Sequence, residues 1–152
     1  MATATAQSIF HVSAVVPAPG HTTYILSGYQ DDKTAHESNL AHEGLAHDLA
    51  QLIAVGRIDT MAHCRGAYKG TPERSIAVTG VDQWSLHKTI LELAVKYRQE
   101  SILAITGTLG LGTLYFTNGD TELIGQYQAI DSTNGIDAYT EVCATGETFT
   151  FV

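Results

Sequence analysis

Hydrophobic residues alternate with polar ones in several short runs and recur at helical spacing in two longer ones. Apolar residues three or four positions apart predict a helix from about Ser38 to Val55, which Gly56 ends, and a second helix from Asp82 to about Arg98. The runs outside these helices are rich in β-branched and aromatic residues, which is typical of strands. The strands predicted in this way are Thr22–Tyr29, Ile58–Tyr68, Glu73–Thr79, Ser101–Thr106, Thr113–Phe116, Glu122–Gln128, Tyr139–Cys143 and Thr148–Val152, and Ile9–Val16 is a candidate edge strand.

The first six elements after residue 21 follow the order β-α-β-β-α-β, which is typical of the split βαβ or ferredoxin-like arrangement. This order predicts an α+β fold in which both helices cover one face of an antiparallel sheet. The additional C-terminal strands, which include a hairpin turn at Asn118-Gly119, are expected to lengthen the sheet or to pair across subunits. The 152 residues are expected to form a single domain, 1–152, with residues 1–8 disordered.

The charge balance narrows the range of partners. Sixteen acidic residues against eight lysines and arginines give a formal charge of -8 without a basic stripe, which argues against binding to nucleic acid phosphates. A small or cationic ligand suits this charge better. The alternative explanation is that the negative charge only keeps the protein soluble. The N-terminus lacks the pattern of a signal peptide and no apolar run approaches 18 residues, so we expect a soluble, intracellular protein with Cys64 and Cys143 reduced.

The densest candidate chemistry lies between Arg65 and Val78. Two glycines and a proline interrupt the backbone between the second and third predicted strands. The predicted loop presents the phenol of Tyr68 and the carboxylate of Glu73, and loops on a rigid scaffold commonly carry functional groups. On residue types alone, an ordinary connection with solvated Lys69, Glu73 and Arg74 stays an open alternative.

The order of residues in this stretch resembles that of a known family. A Gly-x-Tyr sequence at Gly66 to Tyr68, a loop, and Thr-x-Glu-x-Ser-x-x-Val at Thr71 to Val78 precede an amphipathic helix and a short apolar strand. This order is similar to that of the phage enzymes that cleave S-adenosylmethionine, formerly called hydrolases and now described as lyases. The resemblance covers roughly Thr22 to Val142 and is strongest from Gly66 to Phe116. It implies depletion of S-adenosylmethionine in the cytoplasm of an infected host, with no cofactor and no metal.

The resemblance also implies roles for particular residues. The essential carboxylate of the family falls on Glu73 and its active-site tyrosine on Tyr68, which offers either its ring to the cationic end of the substrate or its hydroxyl to the carboxylate. The loop between them looks shorter than in the family, and Thr108 replaces a family glutamine. Backbone groups at Gly107, Thr108 and Gly110 are expected to hold the adenine or the ribose. Because the family is similar in fold to the trimeric PII proteins, the resemblance implies a PII-like homotrimer with sites between subunits.

Two further patterns approach known motifs but have the wrong spacing. The run His42 to His47 reads HExxxH, and its five-residue step turns about 140° around a helix, so both imidazoles cannot easily reach one metal. We therefore expect His36, His42 and His47 at the surface. The run Gly107 to Gly112 reads GxxGxG before a strand, which leaves no helix N-terminus to hold a pyrophosphate. Simple turning between strands stays an alternative for this loop.

The sequence is also compatible with two other functions. A non-catalytic PII-like protein that binds a nucleotide or S-adenosylmethionine would use the same predicted fold and glycine loop without turnover. A small phage inhibitor of a host protein would need neither Glu73 nor a pocket. Formation of methylthioadenosine from S-adenosylmethionine distinguishes an enzyme from both alternatives.

Overall fold

Eight antiparallel strands and two helices form the fold of the computed structural model, which describes residues 13–29, 33–68 and 70–152. Every strand and helix predicted C-terminal to residue 21 has a counterpart, and the boundaries differ by a few residues. In chain order the elements are β1 (His21–Leu26), α1 (Ala35–Ala54), β2 (Thr60–Tyr68), β3 (Thr71–Val81), α2 (Trp84–Lys96), β4 (Ser101–Thr106), β5 (Leu111–Phe116), β6 (Thr121–Ala129), β7 (Tyr139–Val142) and β8 (Thr148–Phe151).

Helix α1 begins three residues earlier than the apolar spacing suggests. The side chain of Thr34 accepts a hydrogen bond from the Glu37 backbone at 3.1 Å, and the Glu37 carboxylate accepts one from the Thr34 backbone at 3.2 Å. This capping box satisfies donors that the start of a helix otherwise leaves without partners. Ser38, where the predicted helix began, therefore lies inside the helix. In the described part of the chain, neither helix is long and apolar enough to cross a membrane.

The sheet closes on itself to form a barrel. Its strand order is β1-β3-β2-β7-β8-β6-β5-β4, and β4 pairs with β1 to complete the circle. Strand β7 pairs with the edge of β2, and β8 joins β7 to β6, so the C-terminal strands supply the partners that the edges of an open sheet lack. The expectation of an open ferredoxin-like, PII-like sheet with two helices on one face was therefore wrong. The added strands close the barrel within one chain instead of lengthening a sheet.

Two buried clusters lie on the two sides of the barrel wall. The outer cluster lies between the wall and the helices, and the inner cluster fills part of the barrel interior. Strand residues alternate between them because successive side chains point to opposite faces. On β1, for example, Tyr24 joins the outer cluster and Ile25 the inner one. The inner cluster consists of Val15, Ile25, Cys64, Ala77, Ile105, Val142 and Phe149.

The segment Ser13–Val16 bends instead of adding the edge strand that was expected at Ile9–Val16. The Ser13 hydroxyl donates a hydrogen bond to the carboxylate of Glu147, and Val15 is buried in the inner cluster. This segment therefore closes one end of the barrel. The rest of the expected strand and the expected disorder of the first eight residues lie outside the described part of the chain.

Candidate active site

One half of the barrel interior is packed and the other half is open. Beyond the inner cluster lies a cavity of about 830 Å³. Ile25 and Phe149 belong to the inner cluster and also line the cavity, so they form its apolar floor together with Leu103 and Leu114. Small-molecule sites are typically concave, largely apolar and of this size. The open half of the barrel is therefore the candidate active site.

The β2–β3 hairpin carries both predicted catalytic residues into this cavity. The connection between the strands is only residues 69–70, and across the hairpin Tyr68 pairs with Thr71 and Gly66 with Glu73. Because side chains alternate along a strand, Tyr68 and Glu73 lie on the same face of the hairpin as Gly66. Both Tyr68 and Glu73 line the cavity. The structure thus brings the pair together. Both residues lie in the strands in which they were predicted, and the loop between the strands is shorter than expected because β3 begins at Thr71.

Gly66 leaves less room for a side chain next to the backbone of a neighbouring strand than any other described glycine. A β-carbon added to Gly66 would lie 2.0 Å from the carbonyl oxygen of Tyr139 on β7. No side chain fits at this distance, so the pairing of β2 with β7 requires glycine here. Since Gly66 lies directly opposite Glu73 on the neighbouring strand, the same pairing fixes the wall from which Glu73 projects.

The segment 98–101 between α2 and β4 forms a second part of the cavity wall. The side-chain Nε2 of Gln99 donates to the backbone carbonyl of Tyr29 at 3.0 Å, which ties this segment to the chain that follows β1. Arg98, just before Gln99, has a positive φ of 55°. The hydrogen bond from Gln99 therefore holds this part of the wall in place. It also fixes the backbone positions from which the charged side chains of the segment extend.

The charges around the cavity are mixed but mainly negative. Among the described residues that line it, the charged side chains are Glu73, Glu100 and Glu122 and the guanidinium of Arg98. Three carboxylates and one guanidinium give a formal balance of -2. This balance favours a ligand with net positive charge, and Arg98 offers a contact for an anionic group on the same ligand.

The glycine-rich loop lies at the other end of β4. Ser101 begins this strand at the cavity, and Gly107 follows six residues later, which is roughly 20 Å at about 3.4 Å per residue. Gly107, Thr108 and Gly110 are not among the described residues that line the cavity. Their contact with a substrate stays a prediction, and within this geometry it requires the loop of a neighbouring subunit.

Gly107 and Gly110 have different surroundings. A β-carbon added to Gly107 would meet nothing within 4 Å, whereas one on Gly110 would lie 2.7 Å from Cβ of Tyr127 and 3.3 Å from Cγ2 of Val16. Gly110 therefore allows the N-terminal segment and β6 to pack closely at the closed end of the barrel. Thr108 and Leu109 of this loop are both exposed, so their side chains are accessible to another molecule.

The histidines of α1 are not all at the surface, as had been expected. His36 and His47 are exposed, but His42 is only 1% exposed and lies on the buried stripe of α1 with Leu45 and Leu49. The spacing of His42 from these two leucines is a helical signal that could have placed it in the core. Across residues 13–29, 33–68 and 70–152, no three His, Cys, Asp or Glu side chains cluster closely enough to hold a metal ion.

Sequence reasoning missed several residues that line the cavity. Ser27, Arg98 and Glu122 come from three separate parts of the chain, and the pairing of β4 with β1 and of β5 with β4 and β6 brings them to one cavity. Arg98 had been expected only as the end of the second predicted helix. One sequence signal could have pointed to Arg98. Helices commonly end on a glycine, and no glycine directly follows α2.

Comparison with known proteins identifies the family of this chain. No curated protein is similar enough to this chain to be counted as a relative. A family model, however, matches residues 24–152, a span that includes the β2–β3 hairpin, the 98–101 segment and the strands that close the barrel. The matching family is described as the S-adenosylmethionine lyase family. The chain belongs to the S-adenosylmethionine lyase family.

Proposed function

We propose that this lyase converts S-adenosylmethionine into methylthioadenosine and homoserine lactone. In the proposed step, a carboxylate oxygen of the substrate forms a bond to its own γ carbon. The bond between the γ carbon and sulfur breaks, and its electron pair stays on sulfur. The step needs no water and transfers no proton. The observation that carries the proposal is the cavity with an apolar floor at Phe149 and charged groups, including Glu73 and Arg98, in its wall.

The partly apolar cavity suits this chemistry because the step removes charge. The substrate has a negative carboxylate and a positive sulfonium, whereas the lactone ester and the thioether are neutral at these positions. Water stabilises separated charges and therefore opposes the reaction. At 4 Å, two opposite charges attract each other by about 1 kcal/mol in water and about 4 kcal/mol near a protein surface. Exclusion of water by the barrel therefore favours ring closure.

The second contribution is the shape of the bound substrate. The carboxylate must approach the γ carbon from the side opposite to sulfur, so the flexible methionine part has to be folded. Correctly oriented intramolecular reactions can gain roughly 7 to 11 kcal/mol over unordered ones. In this proposal the protein mainly binds and folds the substrate, and the nucleophile and the leaving group both belong to the substrate.

We assign Glu73 to the α-ammonium group of the substrate. A carboxylate against the sulfonium would stabilise a charge that disappears in the transition state, and it would slow the step. The ammonium keeps its charge throughout, so attraction to Glu73 persists while it fixes the direction from which the substrate carboxylate attacks. Tyr68 lines the same cavity and is 51% exposed, which supports a contact with the substrate through its ring or its hydroxyl.

The products and the origin of their oxygen atoms test the proposal. The protein is incubated with S-adenosylmethionine in ¹⁸O-water, with and without a chelator, and quenched early. We expect methylthioadenosine and unlabelled homoserine lactone in both samples, followed only later by labelled homoserine. Label in homoserine before any lactone forms would show that water is the nucleophile and would overturn the intramolecular step.

We further propose that the protein acts as a homotrimer in the cytoplasm of an infected bacterium, where loss of S-adenosylmethionine blunts restriction and modification systems. The distance between the glycine loop and the cavity within one subunit supports a site completed by a neighbour. Light scattering tests the trimer. Phage plating on a restricting host that expresses the protein tests the role, since an inactive Glu73→Gln variant should give no protection.

A further inference from the structure

The two helices end in the same hydrogen-bond pattern. At the end of α1, the N–H of Gly56 donates to the carbonyl of Ile53 at 3.0 Å, and the N–H of Arg57 donates to that of Leu52 at 2.8 Å. Gly56 has a φ of 76°. This is a Schellman motif, in which the residue after the helix adopts a left-handed conformation that glycine accepts without strain.

Helix α2 ends in this motif with arginine in the glycine position. The N–H of Arg98 donates to the carbonyl of Val95 at 3.1 Å, and the N–H of Gln99 donates to that of Ala94 at 2.8 Å. Arg98 has a φ of 55° and is the one residue other than glycine with a positive φ in the described part of the chain. Glycine at this position would serve the fold, as Gly56 does at α1.

The side chain of Arg98 explains why an unfavourable backbone conformation is used here. Left-handed conformations of residues other than glycine concentrate at functional sites, where the surrounding structure holds them in place. Arg98 lines the cavity and supplies positive charge to a wall that also holds three carboxylates. A guanidinium in such a wall is suited to recognise a carboxylate on a ligand that is otherwise cationic.

We infer that Arg98 is a positioning residue that binds the α-carboxylate of S-adenosylmethionine, an inference that rests on the proposed function. The guanidinium donates to one carboxylate oxygen, and the other oxygen attacks the γ carbon. The ammonium at Glu73 and the carboxylate at Arg98 are bonded to the same carbon atom, so the two contacts together fix the amino-acid end. Because the carboxylate loses its charge in the step, its attraction to Arg98 weakens toward the transition state, so Arg98 contributes to substrate binding and to the direction of attack and not to stabilisation of the transition state.

The test compares two ligands that do not react. S-adenosylhomocysteine has the carboxylate but an uncharged sulfur, and methylthioadenosine lacks the whole amino-acid part. For Arg98→Gly we expect binding of S-adenosylhomocysteine to weaken roughly 10- to 100-fold, the effect of losing a charge-assisted hydrogen bond, with binding of methylthioadenosine unchanged. In turnover, KM should rise more than kcat falls. The same variant should melt about 1–4 °C higher, because glycine relieves the backbone.

Two further variants separate this role from a structural one. Gly56→Arg places arginine in the same motif at α1, where an added β-carbon meets nothing within 4 Å, so it should lower the melting temperature and leave both affinities unchanged. Arg98→Lys should restore part of the S-adenosylhomocysteine affinity. Unchanged S-adenosylhomocysteine affinity in Arg98→Gly, or a lower melting temperature, would overturn the inference. Absence of methylthioadenosine release by the parent would contradict the proposed function instead, and the two binding measurements would still test Arg98.

Discussion

Replacement of His42 by leucine should make the protein less sensitive to acid. His42 is buried between α1 and the barrel wall, and neither of its ring nitrogens has a hydrogen-bond partner in the part of the chain that the structure describes. Burial, with smaller contributions from Arg74 and His63, lowers the pKa of His42 from 6.5 to about 4. The native state therefore holds a neutral imidazole where the unfolded chain would protonate it.

The size of the effect follows from this difference in pKa. Since the folded state has the lower pKa, the contribution of neutral His42 to stability is fully present above pH 6.5 and is lost as the pH falls toward 4. At pH 5 the unfolded chain is mostly protonated at His42 and the native state is not, which lowers the free energy of unfolding by about 2 kcal/mol relative to pH 7. For a chain of this size that corresponds to about 4–8 °C in melting temperature.

Thermal unfolding of the parent and of His42→Leu at pH 7 and pH 5 measures this contribution. The variant should be more stable at pH 7 by about 1 kcal/mol, because it removes buried polar atoms without partners, and its advantage should grow by about 2 kcal/mol at pH 5. His47→Leu, on the exposed face of the same helix, is the matched control and should not change the pH dependence. Parallel loss of stability in the parent and in His42→Leu would refute the argument.

Three other predictions test the site. Glu73→Gln should fold and melt like the parent but lose at least about tenfold in kcat/KM, or about 1.4 kcal/mol, and activity within a few-fold of the parent would contradict the assignment. Gly66→Ala should lower stability by about 1–3 kcal/mol or more because its β-carbon meets the Tyr139 carbonyl, whereas Gly70→Ala, with nothing within 4 Å, should cost only its backbone strain. Inactive Glu73→Gln and Thr108→Trp chains, once mixed, should regain activity if the site is shared between subunits. No recovery after verified exchange would contradict a site shared between subunits.

The individual strands and helices were predictable because their signals are local. Strand β4, for example, has the predicted boundaries Ser101–Thr106, since its apolar run is followed by a glycine. The closure of the sheet was not predictable in this way. It depends on pairs such as Cys64 with Val142, which lie far apart in the sequence, and no local pattern selects a distant partner strand.

The same distinction explains what was predictable about the site. Tyr68 and Glu73 are close in sequence, so their meeting required only a hairpin, and the family resemblance pointed to both. Arg98 and Glu122 reach the cavity from separate elements, and the successive pairing of β4, β5 and β6 brings them to the same end of the barrel. The burial of His42 was visible in the helical spacing, but histidine is polar enough that residue type argued for the surface.

Closure of the barrel is itself part of the proposed chemistry. Strand β8 completes the wall by pairing with β6 and β7, and its residues Phe149 and Phe151 also line the cavity. An open sheet would place the face that carries Tyr68 and Glu73 against water, where the charges of the substrate are best stabilised apart. The C-terminal strands turn that face inward and provide apolar surface opposite to it. The elements that make this fold differ from the expected one are therefore those on which the proposed ring closure of the substrate depends.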